Sequence, residues 1–416
     1  MDIQEQLAQL RRRIARIDKK YAGGPKPAPV PAQNPDRPQR YDMAHWLGGC
    51  EVETAAGRHF ETVRTWERHR RHGSIGIADL TSLPDDLLNE ISGGDVPRAA
   101  PERWCFLDTE TTGLAGGAGT YAFLVGVGAI TGEGFQLKQF FMREFGEEPS
   151  LLAALAEHLS RFDVLVTYNG KIYDVPLLET RYRMCRARPP FSRLKHVDLL
   201  YSARRLWKLR FESCRLVELE NQILGVEREG DLPGELIPMV YFEYLRTRQA
   251  FKLAPIFHHN AIDILTLACL TAVVPLAFRS PASAPLEHGA ELVGLGRWLR
   301  KADRLEEALT LFRRAISMRL RDELLFRTLW DVAQLEKKLG RLEAAVAVLA
   351  DLAAERNPFQ CAALEELAKH YEHRERNPAM ALEMVLAAQS LHDTEELRRR
   401  RARLERRIAA TPNRLL

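Results

Sequence analysis

The run Trp104-Cys105-Phe106-Leu107, followed by Asp108-Thr109-Glu110 and closed by Gly113, constrains this chain more than any other stretch, because it reads as a buried strand ending in two carboxylates. Strand side chains alternate between faces, so Asp108 and Glu110 project to one side. Two ionised carboxylates placed together repel strongly unless cations join them, and hard oxygen donors suit Mg²⁺ or Mn²⁺. The competing reading is an acidic strand end bathed in solvent.

Two later segments bear on that choice. Residues 163–168 (DVLVTY) read as a second apolar strand, after which Asn169-Gly170 leads into a helix reaching about Arg186. Asp174 lies near the start of that helix, where the helix dipole favours an acid. Much later, Phe257-His258-His259-Asn260-Ala261-Ile262-Asp263 enters Ile264-Leu265-Thr266-Leu267-Ala268-Cys269-Leu270, a run too apolar for a surface helix. A carboxylate on such a helix needs a partner, and a cation would provide one.

In this order and spacing the three segments resemble the catalytic motifs of the ribonuclease H-like DEDD exonucleases, over about residues 103–275, and their surroundings are most similar to the YprB-type ribonuclease H-like proteins. The resemblance implies an α/β fold, a ribonuclease H-like mixed β-sheet flanked by helices. It implies metal ligands at Asp108, Glu110, Asp174 and Asp263, two divalent cations (Mg²⁺ or Mn²⁺), and a 3′-to-5′ exonuclease acting on nucleic acid with a free 3′ end. Four carboxylates and two divalent cations nearly cancel, so a loaded site accepts an anionic phosphodiester and an empty one repels it. In such a site one ion activates water and the other stabilises the leaving oxygen. Family members with a histidine base place it five residues before the last aspartate, here His258, and those with a tyrosine place it four before, here His259. On a continuous helix His259 shares a face with Asp263. If Asn260 caps the helix, both histidines lie on the preceding loop. Spacing favours His258, and neutral imidazole in either place takes a proton near neutral pH.

Around these motifs the chain carries candidate nucleic-acid contacts. Thr109 lies between the first two acids and Asn169 follows the second strand, while Arg181, Arg204, Arg205, Trp207 and Lys208 offer cations and an aromatic ring for phosphates and bases. A solvated helix face with a buried Trp is the plain alternative. Asp198 reads as structural, with assistance to metal binding as the alternative. Residues 121–130 and 135–142, joined by a turn at Thr131-Gly132-Glu133-Gly134, suggest an antiparallel three-strand start to the sheet. The glycines between Gly113 and Thr120 serve either close approach to a ligand or a flexible connection.

Bulk charge does not argue for nucleic acid, since 60 basic and 56 acidic residues leave only +4 among 416. The six cysteines lack CxxC pairing, which disfavours a disulfide framework or a zinc site. The charged start is unlike a signal peptide and no apolar stretch is read as long enough to cross a membrane, so a cytoplasmic location is the default expectation. The expected organisation is a basic amphipathic helix over 1–22, a proline-rich linker over 23–40, and an N-terminal extension of the nuclease domain over 41–100. A ribonuclease H-like domain over 101–278 and an all-α tetratricopeptide-like repeat domain over 287–410 follow. The last rests on RLEEAL at 304–309 recurring as RLEAAV at 341–346 and loosely as NPAMAL at 377–382, with Ala308, Ala345 and Ala381 allowing close helix packing. Such repeats either bind a protein partner or dock on the domain before them. The arginines of 398–407 either touch nucleic acid or form a solvated helix end. Rival functions are a catalytically weak nucleic-acid-binding or scaffold protein and an endonuclease on RNA–DNA hybrids.

Overall fold

The computed structural model describes residues 39–113 and 119–410. The expected basic helix at 1–22, most of the proline-rich segment and the glycines at 116 and 117 lie outside the described residues.

Seven strands build the main sheet. They are β1 (Gly49–Thr54), β2 (Gly57–Glu67), β3 (Trp104–Thr111), β4 (Ala122–Thr131), β5 (Gly134–Phe141), β6 (Val164–Thr167) and β7 (Lys195–Asp198). Their spatial order is β1-β2-β5-β4-β3-β6-β7, antiparallel from β1 through β3 and parallel from β3 through β7. The expected antiparallel trio is thus β3, β4 and β5. Residues 41–98, to which no particular structure was assigned, supply β1 and β2 and widen the sheet. The strand expected at 196–200 stops at Asp198, because Leu199 already opens a helix.

Around the sheet lie α1 (Glu148–Leu159), α2 (Asp174–Met184), α3 (Leu199–Trp207), α4 (Ile237–Thr247) and α5 (Ala254–Arg279). Aromatic rings fasten α4 to the sheet, with Phe123 and Tyr241 stacked at 3.8 Å between centroids. Helix α5 packs on β3, β4 and β5. The expectation that no apolar run reaches membrane-spanning length is corrected here. Ala250–Arg279 contains an 18-residue window of mean hydropathy 2.1, but 78% of that window is buried in the protein, where it covers the sheet.

Contacts divide the chain into two compact units. One holds the chain up to Arg204 together with Ser213–Arg279, and the other holds Arg205–Glu212 with everything from Ser280 onward. The second unit is all-helical, with α6 (Gly289–Lys301), α7 (Leu305–Ser317), α8 (Asp322–Lys338), α9 (Leu342–Ala354), α10 (Gln360–His373), α11 (Pro378–Leu391) and α12 (Glu395–Ala409), each packing on the next. Ala308, Ala345 and Ala381 are buried at equivalent places on α7, α9 and α11.

Candidate active site

The acids on β3 stand where the strand leaves the core. Trp104 to Leu107 are buried, and from Asp108 to Thr111 the strand is half-buried, with a register shift between Glu110 and Thr111 where it parts from β4. Asp108 lies opposite Gly126 of β4. A Cβ on Gly126 would come within 2.3 Å of both Asn260 Oδ1 and Ile264 Cδ1, so the missing side chain lets α5 lie directly on the sheet beside Asp108. Asn260 uses that position. Its Nδ2 donates to Asp108 Oδ2 at 2.9 Å while its Oδ1 accepts from Gln139 Nε2 at 2.9 Å. One turn later on the same helix stands Asp263.

Asp174 is the first residue of α2 and is buried. Thr109 donates from Oγ1 to its Oδ1 at 2.6 Å, which ties the second acidic segment to the first. Asp198 holds the turn between β6 and α2. Its carboxylate accepts from the backbone N–H groups of Asn169 at 2.8 Å and Lys171 at 3.1 Å, and Asn169 there adopts a left-handed φ of 69°. Asp198 is therefore a structural acid.

Asp263 has a protein cation beside it. Arg228 Nη2 donates to Asp263 Oδ1 at 2.5 Å, Nη1 pairs with Asp231 Oδ2 at 3.1 Å, and Nε pairs with Glu220, which is fully buried and also bonded by Thr266 and His72. Asp231 reaches in turn to His259, whose Nδ1 lies 2.8 Å from Asp231 Oδ2 and whose Nε2 lies 3.6 Å from Asp263 Oδ2. Arg228 and Asp231 were not singled out in the sequence. Both lie in the stretch between Gly225 and Pro233, which has no periodicity to announce which way its side chains face.

Charge accumulates here. Burial pushes Asp108 well above the usual carboxylate range, and the charges of Asp263 and Asp174 push it further, against a smaller opposing effect of the Asn260 hydrogen bond. Glu110 is raised in the same way by burial and then by Asp108, Asp263 and Asp174. Burial raises Asp174 to about 6 even though Thr109 hydrogen-bonds its charged form. Burial and neighbouring acids thus penalise the charge of Asp108, Glu110 and Asp174, and oxygen donors in this state fit divalent cations. In this conformation Asn260, Thr109 and Arg228 each hold one acid separately, and among the described residues no three His, Cys, Asp or Glu side chains converge on one point.

The two histidines differ. Helix α5 begins at Ala254, so Asn260 is an interior residue rather than a cap, and the reading that left both histidines on a loop is corrected. Burial works against protonation of His259, but the hydrogen bond to Asp231 and the charges of Asp263 and Asp231 outweigh it and its pKa rises. His258, a step away around the helix, is exposed, and its pKa is lowered by what burial it has and by the charge of Arg64. His258 is an imidazole open to solvent whose surroundings disfavour its charged form; His259 is held between carboxylates that favour its charged form.

Residues 105–274, which contain the four acids and both histidines, match a family described as the RNase_H superfamily. Over 317 residues the chain is 36% identical to the "Uncharacterized protein YprB" of Bacillus subtilis (strain 168), spanning 73% of this chain and 75% of that one. The chain belongs to the YprB family of the RNase_H superfamily. Membership points to nuclease-type chemistry on nucleic acid.

Within this YprB-family domain, several expected nucleic-acid contacts are corrected. Arg181 is buried, makes two 2.6 Å hydrogen bonds to Glu148 and stacks over Tyr121 at 3.7 Å, so its charge serves the core. Trp207 is fully buried and donates from Nε1 to Glu291 at 3.1 Å, leaving no face for a base. Arg205 and Lys208 are exposed and, like Trp207, belong to the helical unit rather than to the unit that holds the acids, and Arg205 packs on Trp298. Arg204 is exposed on the sheet-bearing unit. Thr109 spends its hydroxyl on Asp174, and Asn169 gives its backbone N–H to Asp198.

Proposed function

We propose that this protein is a metal-dependent 3′-to-5′ exonuclease, and that its helical unit is a tetratricopeptide-like array that binds a protein partner. What carries the reading is that Asn260, one turn before Asp263 and more than 150 residues from Asp108, donates to Asp108 Oδ2 at 2.9 Å, which brings α5 and its aspartate to the acids of β3. Asp108, Glu110, Asp174 and Asp263 would hold two divalent cations, Mg²⁺ or Mn²⁺. Such cations, when bound, lower the pKa of water and stabilise the leaving oxygen of a phosphodiester.

The remaining chemistry belongs to the chain. His258, kept neutral and exposed, takes the proton of the attacking water on its imidazole. His259, fixed by Asp231, orients Asp263 from the same face of α5. Asn260 and Thr109 fix the directions of Asp108 and Asp174 through one hydrogen bond each.

His258→Ala is expected to lower kcat by roughly 10²–10⁴-fold, the usual worth of a positioned base. His259→Ala is expected to cost less in rate and more in thermal stability, because it leaves Asp231 without its hydrogen bond. Single-turnover rates and melting curves of both variants decide this, and equal small losses of rate would remove both from the reaction.

The reading as a whole is tested on the full chain with 5′- and 3′-labelled RNA and DNA oligomers, with Mg²⁺, Mn²⁺ or EDTA. A 5′ label should descend in single-nucleotide steps and a 3′ label should leave at once as a mononucleotide, in divalent ions only. Internal cuts would favour an endonuclease. Binding with no cleavage in either ion would favour the rival reading of a protein that holds nucleic acid without hydrolysing it, for which the Arg228 contact to Asp263 is the supporting observation.

A further inference from the structure

Helix α12 is the most basic element described. Seven arginines against three glutamates over Glu395–Ala409 give it a net charge of +4, equal to that of the entire chain. Only Leu397 and Leu404 of this helix are buried.

Three of the arginines converge on one acid. Glu372, near the end of α10 and 1% exposed, accepts from Arg400 Nη1 at 2.7 Å, Arg403 Nη2 at 2.8 Å and Arg407 Nη1 at 3.5 Å, with His373 Nε2 at 3.7 Å. One carboxylate neutralises one guanidinium, so the cluster keeps two positive charges in excess. Packing the helix against α10 does not require that excess. Arg403 and Arg407 remain 47% and 49% exposed, so the charges are anchored at one end and reachable at the other. Seven residues of α-helix span about 10 Å, so the three guanidinium groups form a short row along one side of α12. Guanidinium forks suit phosphate oxygens in pairs.

We infer that the Arg400–Arg403–Arg407 face of α12 is a second nucleic-acid site, one that grips the phosphate backbone without reading sequence. It shares with the proposed exonuclease only the class of ligand. It binds whether or not the acids are loaded with metal, and it holds a strand to the enzyme between or before cuts.

The test is fluorescence anisotropy of a labelled single-stranded 20-mer with the full chain, in EDTA and in an Asp174→Asn background, from 0.1 to 1 M salt. Loss of hydrolysis and loss of binding are then read separately. Arg403→Gln/Arg407→Gln, which leaves Arg400 to satisfy Glu372, should bind about 25-fold more weakly at 0.1 M salt and flatten the slope of log K against log salt by about 1.4. Glu372→Gln frees one further charge and should bind about fivefold more tightly. Arg407→Gln alone, which removes the longest of the arginine contacts to Glu372, repeats the first test with half the change in slope should circular dichroism show the pair unfolded. Unchanged affinity and slope in the folded arginine variants would overturn the inference. So would Glu372→Gln binding no more tightly than the parent, for then the arginines serve only to dock the helix.

Discussion

Asp108→Asn and Asp174→Asn each lower metal-dependent hydrolysis by about a thousandfold or more, a loss of about 4 kcal/mol of transition-state stabilisation, while the protein stays folded and, without divalent ions at neutral pH, melts at a higher temperature. The two results together separate a catalytic acid from a structural one. A carboxylate that holds the fold together costs stability when it is neutralised. Asp108 and Asp174 stand on the other side, because burial and the facing acids raise their pKa. An amide in place of either keeps the acceptor that Asn260 Nδ2 or Thr109 Oγ1 needs and removes only the charge.

The pH dependence follows with a definite sign. Asp174 titrates at about 6 in the folded protein and at about 3.9 in an unfolded chain, so between those values the folded state keeps a proton that the unfolded state has released. Stability from this group is therefore greatest below about pH 4 and is lost as pH rises through about 6. The melting temperature of Asp174→Asn minus that of the parent, in EDTA, should grow from pH 4 to pH 7. Millimolar Mg²⁺ or Mn²⁺ should raise the parent's melting temperature at pH 7.5 and do little at pH 4.5, where protons already occupy the acids. A parent protein indifferent to both ions at pH 7.5, or an Asp174→Asn variant less stable than the parent at that pH, would remove the metal site from the proposal.

Period-two alternation places Asp108 and Glu110 on one face without any three-dimensional information, and the position of Asp174 at a helix start follows from the turn before it. The apolar helix bearing Asp263 is equally plain, since a carboxylate in such company has to meet something. What it meets is not visible in the sequence. Arg228 stands 35 residues upstream in an aperiodic stretch, and its engagement of Glu220, Asp231 and Asp263 depends on how that stretch folds back over α5. Gly126 and Gly128 read as ordinary strand residues, although the absence of a Cβ at each is what admits Asn260 and Ile264. Arg181 and Trp207 were assigned to nucleic acid for a related reason. Their partners, Glu148 and Glu291, are 33 and 84 residues away, and a guanidinium or an indole whose partner is distant in sequence looks free to meet a phosphate or a base until the chain is folded. Local chemistry was legible where the relevant neighbours were local or periodic, and it misled where pairing was long-range.

Arg228→Met is expected to destabilise the sheet-bearing unit by about 3–5 kcal/mol, the usual consequence of removing one partner from a buried ion pair and a large fraction of the about 5–15 kcal/mol that holds a typical protein together. The guanidinium is 8% exposed and faces three carboxylates, of which Glu220 is fully buried, so its loss strands negative charge that water cannot reach. Methionine fills the space of the stem and leaves the charge deficit as the main change. Arg228→Lys should fall between the parent and the methionine variant, because an ammonium restores the charge but cannot span Glu220, Asp231 and Asp263 with a planar fork. Adding Asp263→Asn to Arg228→Met should cost less than the sum of the two single effects, since Arg228→Met leaves Asp263 without its guanidinium and the double change removes that stranded charge. Divalent ions should recover part of the stability of Arg228→Met through Asp263 and its neighbours, and should recover less of it when Asp263 is also neutralised. Urea titrations of the five proteins with and without Mg²⁺ measure all of this. Additive effects, or an Arg228→Met variant as stable as the parent, would mean that Arg228 does not hold these acids together, and that Asp263 is positioned by α5 alone.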